Sequence, residues 1–330
     1  MTAFFFQTTT DSAFNLALEE LMVRKSNEEI FYLWQNAPAV IIGRNQNTLA
    51  EINTDFIHSN KINVTRRNTG GGAVYHDLGN INYSYIVNFK EGRSVNFADF
   101  AVPVIRTLAE MGIKAEFSGR NDILIDGKKI SGSAQSRIGD RILFHGTMLF
   151  DTNIEDLVNA LNVSGVKISG KGIASVRSRV TNIKEHLKEN LDVKEFINAI
   201  SDSLRKQFNV AADYIVPQEI LLEAEQLAEE KYRSNEWNYG NSPQFNYEKS
   251  QKFSGGSVTL HLEIQKGKIT NAKFSGDFFS RTDIAALETA LLNAEISTEN
   301  INCILESFPI EEMFINIASD EILSLFPQIF

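Results

Sequence analysis

Only one cysteine, Cys303, occurs in 330 residues, so no disulfide can close within the chain, and a reducing, cytoplasmic setting is expected. No apolar run approaches the length of a membrane span. The Phe4-Phe5-Phe6 stretch near the start has no basic residue ahead of it and is too short for the core of a signal segment, so no membrane association is expected. A positive surplus is missing as well. With 32 Lys+Arg against 42 Asp+Glu the net charge is -10, which disfavours a general nucleic-acid binder working by counterion displacement. The five histidines, His58, His76, His145, His186 and His261, are scattered, with no pair at helical metal spacing and no cysteine partner, which argues against a structural zinc site.

What remains is a globular composition, 43% apolar, and enough length for one large domain with a smaller one attached. Asp11 or Ser12 can cap a helix whose Phe14, Ala17, Leu18 and Leu21 form one stripe, which predicts an amphipathic helix. Strands are expected at Ile30 to Trp34, Ala39 to Ile42, Ile62 to Arg67 and Ala73 to His76, followed by an alternating run in which Asn82 and Ser84 interrupt Ile81, Tyr83 and Tyr85. A helix from Phe97 to Met111 should kink or restart at Pro103 and stop at Gly112. Asp126-Gly127 between apolar runs predicts a hairpin, and Gly139-Asp140 a second one running on to Phe150. Helices then dominate: Ile154 to Leu161, Val193 to Phe208 with Asp192 and Glu195 as a capping box, and Ile220 to Arg233. The texture changes near Ser242 to Ser250. Beyond it, Val258 to Ile264 alternates as a half-exposed strand, in a tail of two strands and helices near Ile284 to Ala294 and Ile301 to Phe308. The expected class is α+β: a mixed or antiparallel sheet with flanking helices over 1–245, and a small α+β domain over 246–330.

The stretch Arg66-Arg67-Asn68-Thr69-Gly70-Gly71-Gly72-Ala73 has the chemistry of a phosphate cradle. Three glycines let successive N–H groups converge without Cβ interference, and a guanidinium can bind phosphate oxygens in bidentate fashion. A glycine run between strands is also an ordinary turn or bulge. Gly165 to Lys171 matches most of a P-loop, but Gly172 replaces the residue that should hold Mg²⁺, and the stretch follows a helix where a strand is required. In a regular strand Lys129 and Ser131 would share a face, placing an ammonium and a hydroxyl together. Such a lysine can polarise a carboxylate and stabilise charge as it attacks phosphorus, though a lysine beside a hairpin is commonly only solvated. Asn121 and Asp122 are candidates for a Mg²⁺ held with a triphosphate, and equally ordinary turn residues.

Taken together, Arg66 to Asn80, Gly119-Arg120-Asn121-Asp122, Lys129-Ile130-Ser131-Gly132-Ser133-Ala134 and His145-Gly146-Thr147 resemble lipoate–protein ligases of the two-domain bacterial type, in the biotin/lipoate ligase superfamily. Further stretches, Phe14 to Glu20, Leu33-Trp34, Gly43 to Asn47 and Ser175 to Asn182, extend the resemblance. It implies two steps: lipoate and MgATP form enzyme-held lipoyl-AMP, and a lysine of an apo lipoyl domain then takes the acyl group. The acceptor would be an E2 subunit of a 2-oxoacid dehydrogenase or a glycine-cleavage H protein. By position, Arg67 and Gly72, Ala73, Val74 and Tyr75 would meet the nucleotide phosphate, Asn80 would read adenine, and Lys129 would touch both carboxyl group and phosphate. Glu19, Trp34, Leu143 and His145 would line the lipoate site, and a loop from Ser169 to Val180 would close over the adenylate.

Two other readings stand beside this one. Octanoyltransferases of the same superfamily work without ATP through a cysteine thioester, and Cys303 lies far in sequence from every site motif. A non-catalytic lipoyl-domain binding protein would need no ATP chemistry at all.

Overall fold

The structure is a computed structural model that describes residues 2–89, 96–119, 121–161, 176–239, 247–265 and 267–327. The chain separates into two compact units. The first contains the residues through Ile41, Leu49–Arg66 and Val74–Asn238; the second contains Ile42–Thr48, Arg67–Ala73 and everything from Tyr239 on. The sequence boundary expected at 245/246 falls within residues 240–246, outside the described residues, as does the P-loop-like stretch from Gly165 to Gly172.

The first unit is built on a seven-stranded sheet. Its strands are β1 (Ala3–Gln7), β2 (Ile30–Trp34), β6 (Asn80–Asn88), β7 (Ala115–Ser118), β8 (Asp122–Ile125), β9 (Lys128–Ile138) and β10 (Arg141–Leu149), in the order β1-β2-β6-β10-β9-β8-β7. Only β1 and β2 run parallel, which makes the sheet mixed. The short strands β3 (Ala39–Ile42), β4 (Asn63–Arg66) and β5 (Val74–His76) form a separate sheet in the order β4-β3-β5. Asp126 (φ 49°) and Gly127 (φ 73°) both take the left-handed conformation that a two-residue hairpin turn demands. Helices cover both faces of the large sheet. Phe31, Leu33, Ile81, Tyr83 and Phe144 pack against α4 (Phe97–Glu110) and α6 (Val193–Phe208); Tyr32, Trp34, Ile86 and Leu143 pack against α1 (Ser12–Lys25) and α7 (Gln218–Leu227). Between these lie the short helices α2 (Thr48–Glu51), α3 (Thr54–Ser59) and α5 (Ile154–Ala160), and α8 (Asn235–Tyr239) follows α7.

Two expectations change here. The helix α1 is capped by Asp11, whose Oδ1 accepts from the Ala13 N–H at 2.8 Å, but it is not amphipathic: Leu16 to Val23 are buried all round. The reason is that α7 covers the side away from the sheet, and the polar residues on α1 find buried partners. Helix α4 runs without restart through Pro103, which sits on the buried side, and the Thr107 hydroxyl donates to the Pro103 carbonyl at 3.0 Å.

The second unit carries a three-stranded antiparallel sheet, β11 (Tyr247–Phe253), β12 (Gly256–Gln265) and β13 (Lys268–Gly276), with α9 (Ala285–Ala290), α10 (Thr298–Glu306), α11 (Ile310–Met313) and α12 (Ser319–Leu323). Two strands were expected. The third, β11, reads Tyr-Glu-Lys-Ser-Gln-Lys-Phe and buries only Phe253, so its apolar signal is weak because it is an edge strand. Val258, Leu260, Leu262, Phe274, Leu287, Ile301, Phe314 and Ile322 form its core. Among the described residues no helix is long and apolar enough to cross a membrane.

Candidate active site

A buried polar group interrupts the apolar layer between α1 and the sheet. The Trp34 Nε1–H donates to Ser84 Oγ at 2.8 Å, the Ser84 hydroxyl donates to Glu19 Oε1 at 2.6 Å, and Glu19 Oε2 lies 2.8 Å from His145 Nδ1. Strand register explains how they meet. Ser84 on β6 is directly opposite Tyr32 on β2 and His145 on β10, so all three lie on the α1 side, where Glu19 projects from the helix. Burial and the nearby Glu19 carboxylate push the Tyr32 hydroxyl well above its ordinary value. Leu143, two residues before His145 on β10, is buried in the same layer as Trp34. The structure thus brings Glu19, Trp34, Leu143 and His145 together, and it adds Ser84, which sequence reasoning passed over. The available signal was a serine within a strand of otherwise large residues.

Lys129 is the second residue of β9, the strand that leaves the Asp126-Gly127 hairpin turn. Its N–H donates to the Arg179 carbonyl at 2.8 Å and its carbonyl accepts from the Thr181 N–H at 3.1 Å, so both halves of its backbone face residues 179–181. Its Nζ pairs with Asp122 Oδ1 at 2.8 Å. The expected sharing of a face with Ser131 does not occur. Leu124 opposes Lys129 while Ile123 opposes Ser131, a bulge that inserts Ile130 and breaks the alternation. Ser131 is fully buried, and the lysine side chain lies instead over Gly132, where an added Cβ would come within 2.8 Å of Nζ. The Gly132 N–H is held by Thr147 Oγ1 at 3.2 Å, which gives the His-Gly-Thr stretch a part in shaping this strand. Gly146 itself faces Tyr83, whose hydroxyl would be 2.5 Å from any Cβ there.

Asn121 and Asp122 are adjacent, but they are differently engaged. The Asn121 Nδ2 donates to the Ser133 carbonyl at 2.6 Å, whereas Asp122 is half-buried beside Lys129. Among the described residues no group of three or more His, Cys, Asp or Glu gathers as a metal cage. A lone carboxylate still suits Mg²⁺, which keeps waters and takes its other ligands from substrate phosphates.

The glycine run is divided between the units. Val74, Tyr75 and Asn80 belong to the first. Tyr75 is buried, and burial with the charges of Asp77 and Asp156 raises its hydroxyl. Asn80 is fully buried; its Nδ2 donates to Asn82 Oδ1 at 2.9 Å, while its Oδ1 has no partner among the described residues. Arg67, Gly72 and Ala73 belong to the second unit. The Arg67 guanidinium braces its own loop, donating to Thr69 Oγ1 at 2.9 Å and to the Gly70 and Gly72 carbonyls at 2.6 and 2.9 Å. Gly70 abuts the chain at Phe278, whose carbonyl would be 2.6 Å from a Cβ, while Gly72 faces open space. The preceding Arg66 is held in the first unit by the Trp237 and Asn238 carbonyls, and burial lowers its guanidinium to about 10.

Residues 11–205 match the lipoyl protein ligase A/B catalytic domain family, and residues 242–326 match the bacterial lipoate protein ligase C-terminus family. The lipoate-protein ligase LplJ of Bacillus subtilis (strain 168) is 43% identical over 326 residues, covering 97% of this chain and 98% of the relative. P. falciparum LipL1, solved in complex with lipoate, aligns with a TM-score of 0.78 at 27% identity over 93% of this chain and 95% of its own. A lipoate-protein ligase A bound with ATP aligns with a TM-score of 0.62 at 26% identity over 72% of this chain and 98% of its own. A bulged lysine hairpin, a polar group buried under an apolar helix and a braced glycine loop are therefore the features of a chain that belongs to the lipoate–protein ligase family.

Proposed function

We propose that this chain is an ATP-dependent lipoate–protein ligase that activates lipoate to lipoyl-AMP and transfers the lipoyl group to a lysine of an apo lipoyl domain. A lipoate carboxylate oxygen attacks the α-phosphorus of ATP and expels pyrophosphate. The acceptor amine then attacks the acyl carbonyl and expels AMP. Lys129 is the proposed catalytic residue, contacting carboxyl group and phosphate and offsetting the charge that builds up as they join.

The observation that carries this reading is the fixing of Lys129: backbone hydrogen bonds on both sides of its Cα, and an ammonium paired with Asp122 over a glycine. A lysine whose backbone is held on both sides is presented in one register, which favours a reaction that depends on positioning. The layer around Trp34 and Leu143, with Glu19 and His145 at its polar centre, supports an apolar acyl chain. The open flank of Gly72, and the Asn80 Oδ1 that could accept from an adenine amino group, support roles for Arg67, Gly72 to Tyr75 and Asn80 toward the nucleotide. Asp122, with Asn121 beside it, would hold Mg²⁺, which supplies charge neutralisation of the phosphates when bound. In this reading residues 1–245 carry catalysis and 246–330 an accessory domain, in the cytoplasm, with an E2 lipoyl domain or an H protein as acceptor.

The test is mass spectrometry of an apo lipoyl domain and an apo H protein incubated with the chain, ATP, Mg²⁺ and lipoate. A gain of one lipoyl group, dependent on ATP, is expected. Absence of lipoyl-AMP together with ATP-independent octanoyl transfer from an acyl carrier would replace this reading with the transferase one.

A further inference from the structure

Asn182 occupies a place that the reaction chemistry does not account for. It is buried, and its side-chain amide is matched to one backbone residue: the Thr152 N–H donates to Asn182 Oδ1 at 3.0 Å, and Asn182 Nδ2 donates to the Thr152 carbonyl at 3.0 Å. Such a reciprocal pair copies the two-bond pairing of adjacent antiparallel strands, and only a carboxamide offers a donor and an acceptor side by side in this way. Thr152 lies in the short link between β10 and α5, so the anchor is a segment that leaves the central sheet directly.

The residues just before Asn182 are those that meet Lys129. The Thr181 N–H and the Arg179 carbonyl satisfy the Lys129 carbonyl and N–H, and Thr181 Oγ1 lies 3.1 Å from His186 Nε2 in the following turn. A second tie just beyond Asn182 points the same way, since the Lys184 N–H donates to the Phe150 carbonyl at 3.1 Å. Residues 179–181 belong to no sheet and contribute a single bridge. Val180 packs with Val176, Ile154 and Val158 on one side, and the chain that follows is fastened by Asn182 and Lys184 on the other.

We propose that Asn182 is a positioning residue that acts through Lys129, by fastening residues 179–181 to the segment that leaves the sheet so that they hold the lysine backbone in its bulged register. The inference rests on the catalytic role of Lys129 in the proposed ligase reaction. A displacement of about 1 Å at a reacting group can cost about 10²-fold in rate, so loss of the anchor is expected to reach the chemistry without any change in what the substrates touch.

The experiment is a double-mutant cycle on the full chain, read as the rate of lipoyl-AMP formation at saturating ATP and lipoate. Lys129→Ala is expected to slow this step about 10²–10³-fold. Asn182→Ala is expected to slow it at least about tenfold with both KM values nearly unchanged, and to cost almost nothing further in the Lys129→Ala background, because residues acting as one unit are not additive. Asn182→Asp keeps the size of the side chain and the acceptor for the Thr152 N–H while deleting the donor. It provides the same comparison should the alanine variant fold poorly, and it is expected to be impaired in the same non-additive way. Additive losses in the cycle, or a wild-type rate in either folded Asn182 variant, would overturn the role of Asn182. A wild-type rate in Lys129→Ala would overturn the ligase assignment of that lysine and the inference with it, a result separable from the first because the single variants are measured alone.

Discussion

The Lys129 ammonium sits 2.8 Å from Asp122 Oδ1, a pairing between the two ends of one hairpin in which both side chains keep about a third of their surface exposed. An ion pair so exposed contributes no more than about 1 kcal/mol to stability. Asp122 cannot give the same oxygen fully to a metal ion and to the lysine.

Replacing Asp122 with Asn separates these roles. Thermal unfolding should shift by no more than about 1 kcal/mol in stability, since both side chains are partly exposed. If Asp122 binds Mg²⁺ alongside the triphosphate, the Mg²⁺ concentration giving half-maximal lipoate-dependent ATP–pyrophosphate exchange should rise at least about tenfold. An unchanged Mg²⁺ titration would remove Asp122 from the list of ligands.

Gly70 and Gly72 should respond oppositely to alanine. A methyl at Gly70 would press to 2.6 Å from the Phe278 carbonyl and 3.0 Å from the Phe279 Cα, both backbone atoms with little room to yield. Gly70→Ala should therefore lower stability by about 1–3 kcal/mol, the usual range for overpacking, seen as an earlier urea midpoint. Gly72→Ala meets nothing within 4 Å, so its midpoint should stay put while the KM for ATP rises. Equal midpoints for the two variants would contradict the close approach at Phe278.

Glu19 is the junction of the buried group, accepting from Ser84 and facing His145. Glu19→Ala removes a partner from each in an apolar layer and should cost about 1–3 kcal/mol, the range for a buried polar group that loses its hydrogen-bond partner. Glu19→Gln keeps an oxygen for Ser84 and should cost less. Urea unfolding measures both, and the KM for lipoate should rise in each. A fully stable alanine variant would mean that the network carries no structural weight.

His261 gives the second unit a pH dependence. Burial lowers its pKa, although Glu248 at 3.1 Å opposes the shift; Ser275 Oγ lies 2.8 Å from Nε2 and Lys273 is its cross-strand neighbour. The unfolded chain thus takes up a proton at this site more readily than the folded one. Stability is constant above the unfolded value near 6.5 and falls as pH drops below it toward the lower folded value. His261→Gln should flatten that part of the stability–pH curve measured by denaturant unfolding between pH 5 and pH 7.5. An identical slope in both proteins would assign the effect elsewhere.

The sheet strands that carry the site were readable because their signals are local. Ile30 to Trp34 and Ala39 to Ile42 are bounded by polar turns, and the hairpin at Asp126-Gly127 follows from two residues that tolerate positive φ. The capping box at Asp192 and Glu195 was equally local, and both of its hydrogen bonds are present at 2.8 Å. What escaped was relational. Ser84 joins residues 50 and 65 positions away, and no periodicity encodes that meeting. The bulge at Ile130 turned Lys129 from Ser131 toward Gly132, because a two-residue alternation assumes a regular ladder. For α1 the stripe was real but the inference from it was not, since a helix clothed on both sides has no solvent face. Arg67 was legible as a cation beside glycines, yet its side chain turns inward on carbonyls that no sequence pattern reveals.

The membership of the glycine loop has a practical consequence for anyone shortening this chain. Arg67–Ala73 and Ile42–Thr48 group with the C-terminal residues, and they are tied to them by the Gly276 N–H donating to the Asn45 carbonyl and by Arg44 pairing with Asp283. A fragment ended at Asn238 would retain both loops yet discard the surface they rest on. Trimming the tail is thus an operation on the glycine loop as much as on an appendage, and a two-piece version of the chain would have to restore that surface through the second piece before its loops were whole.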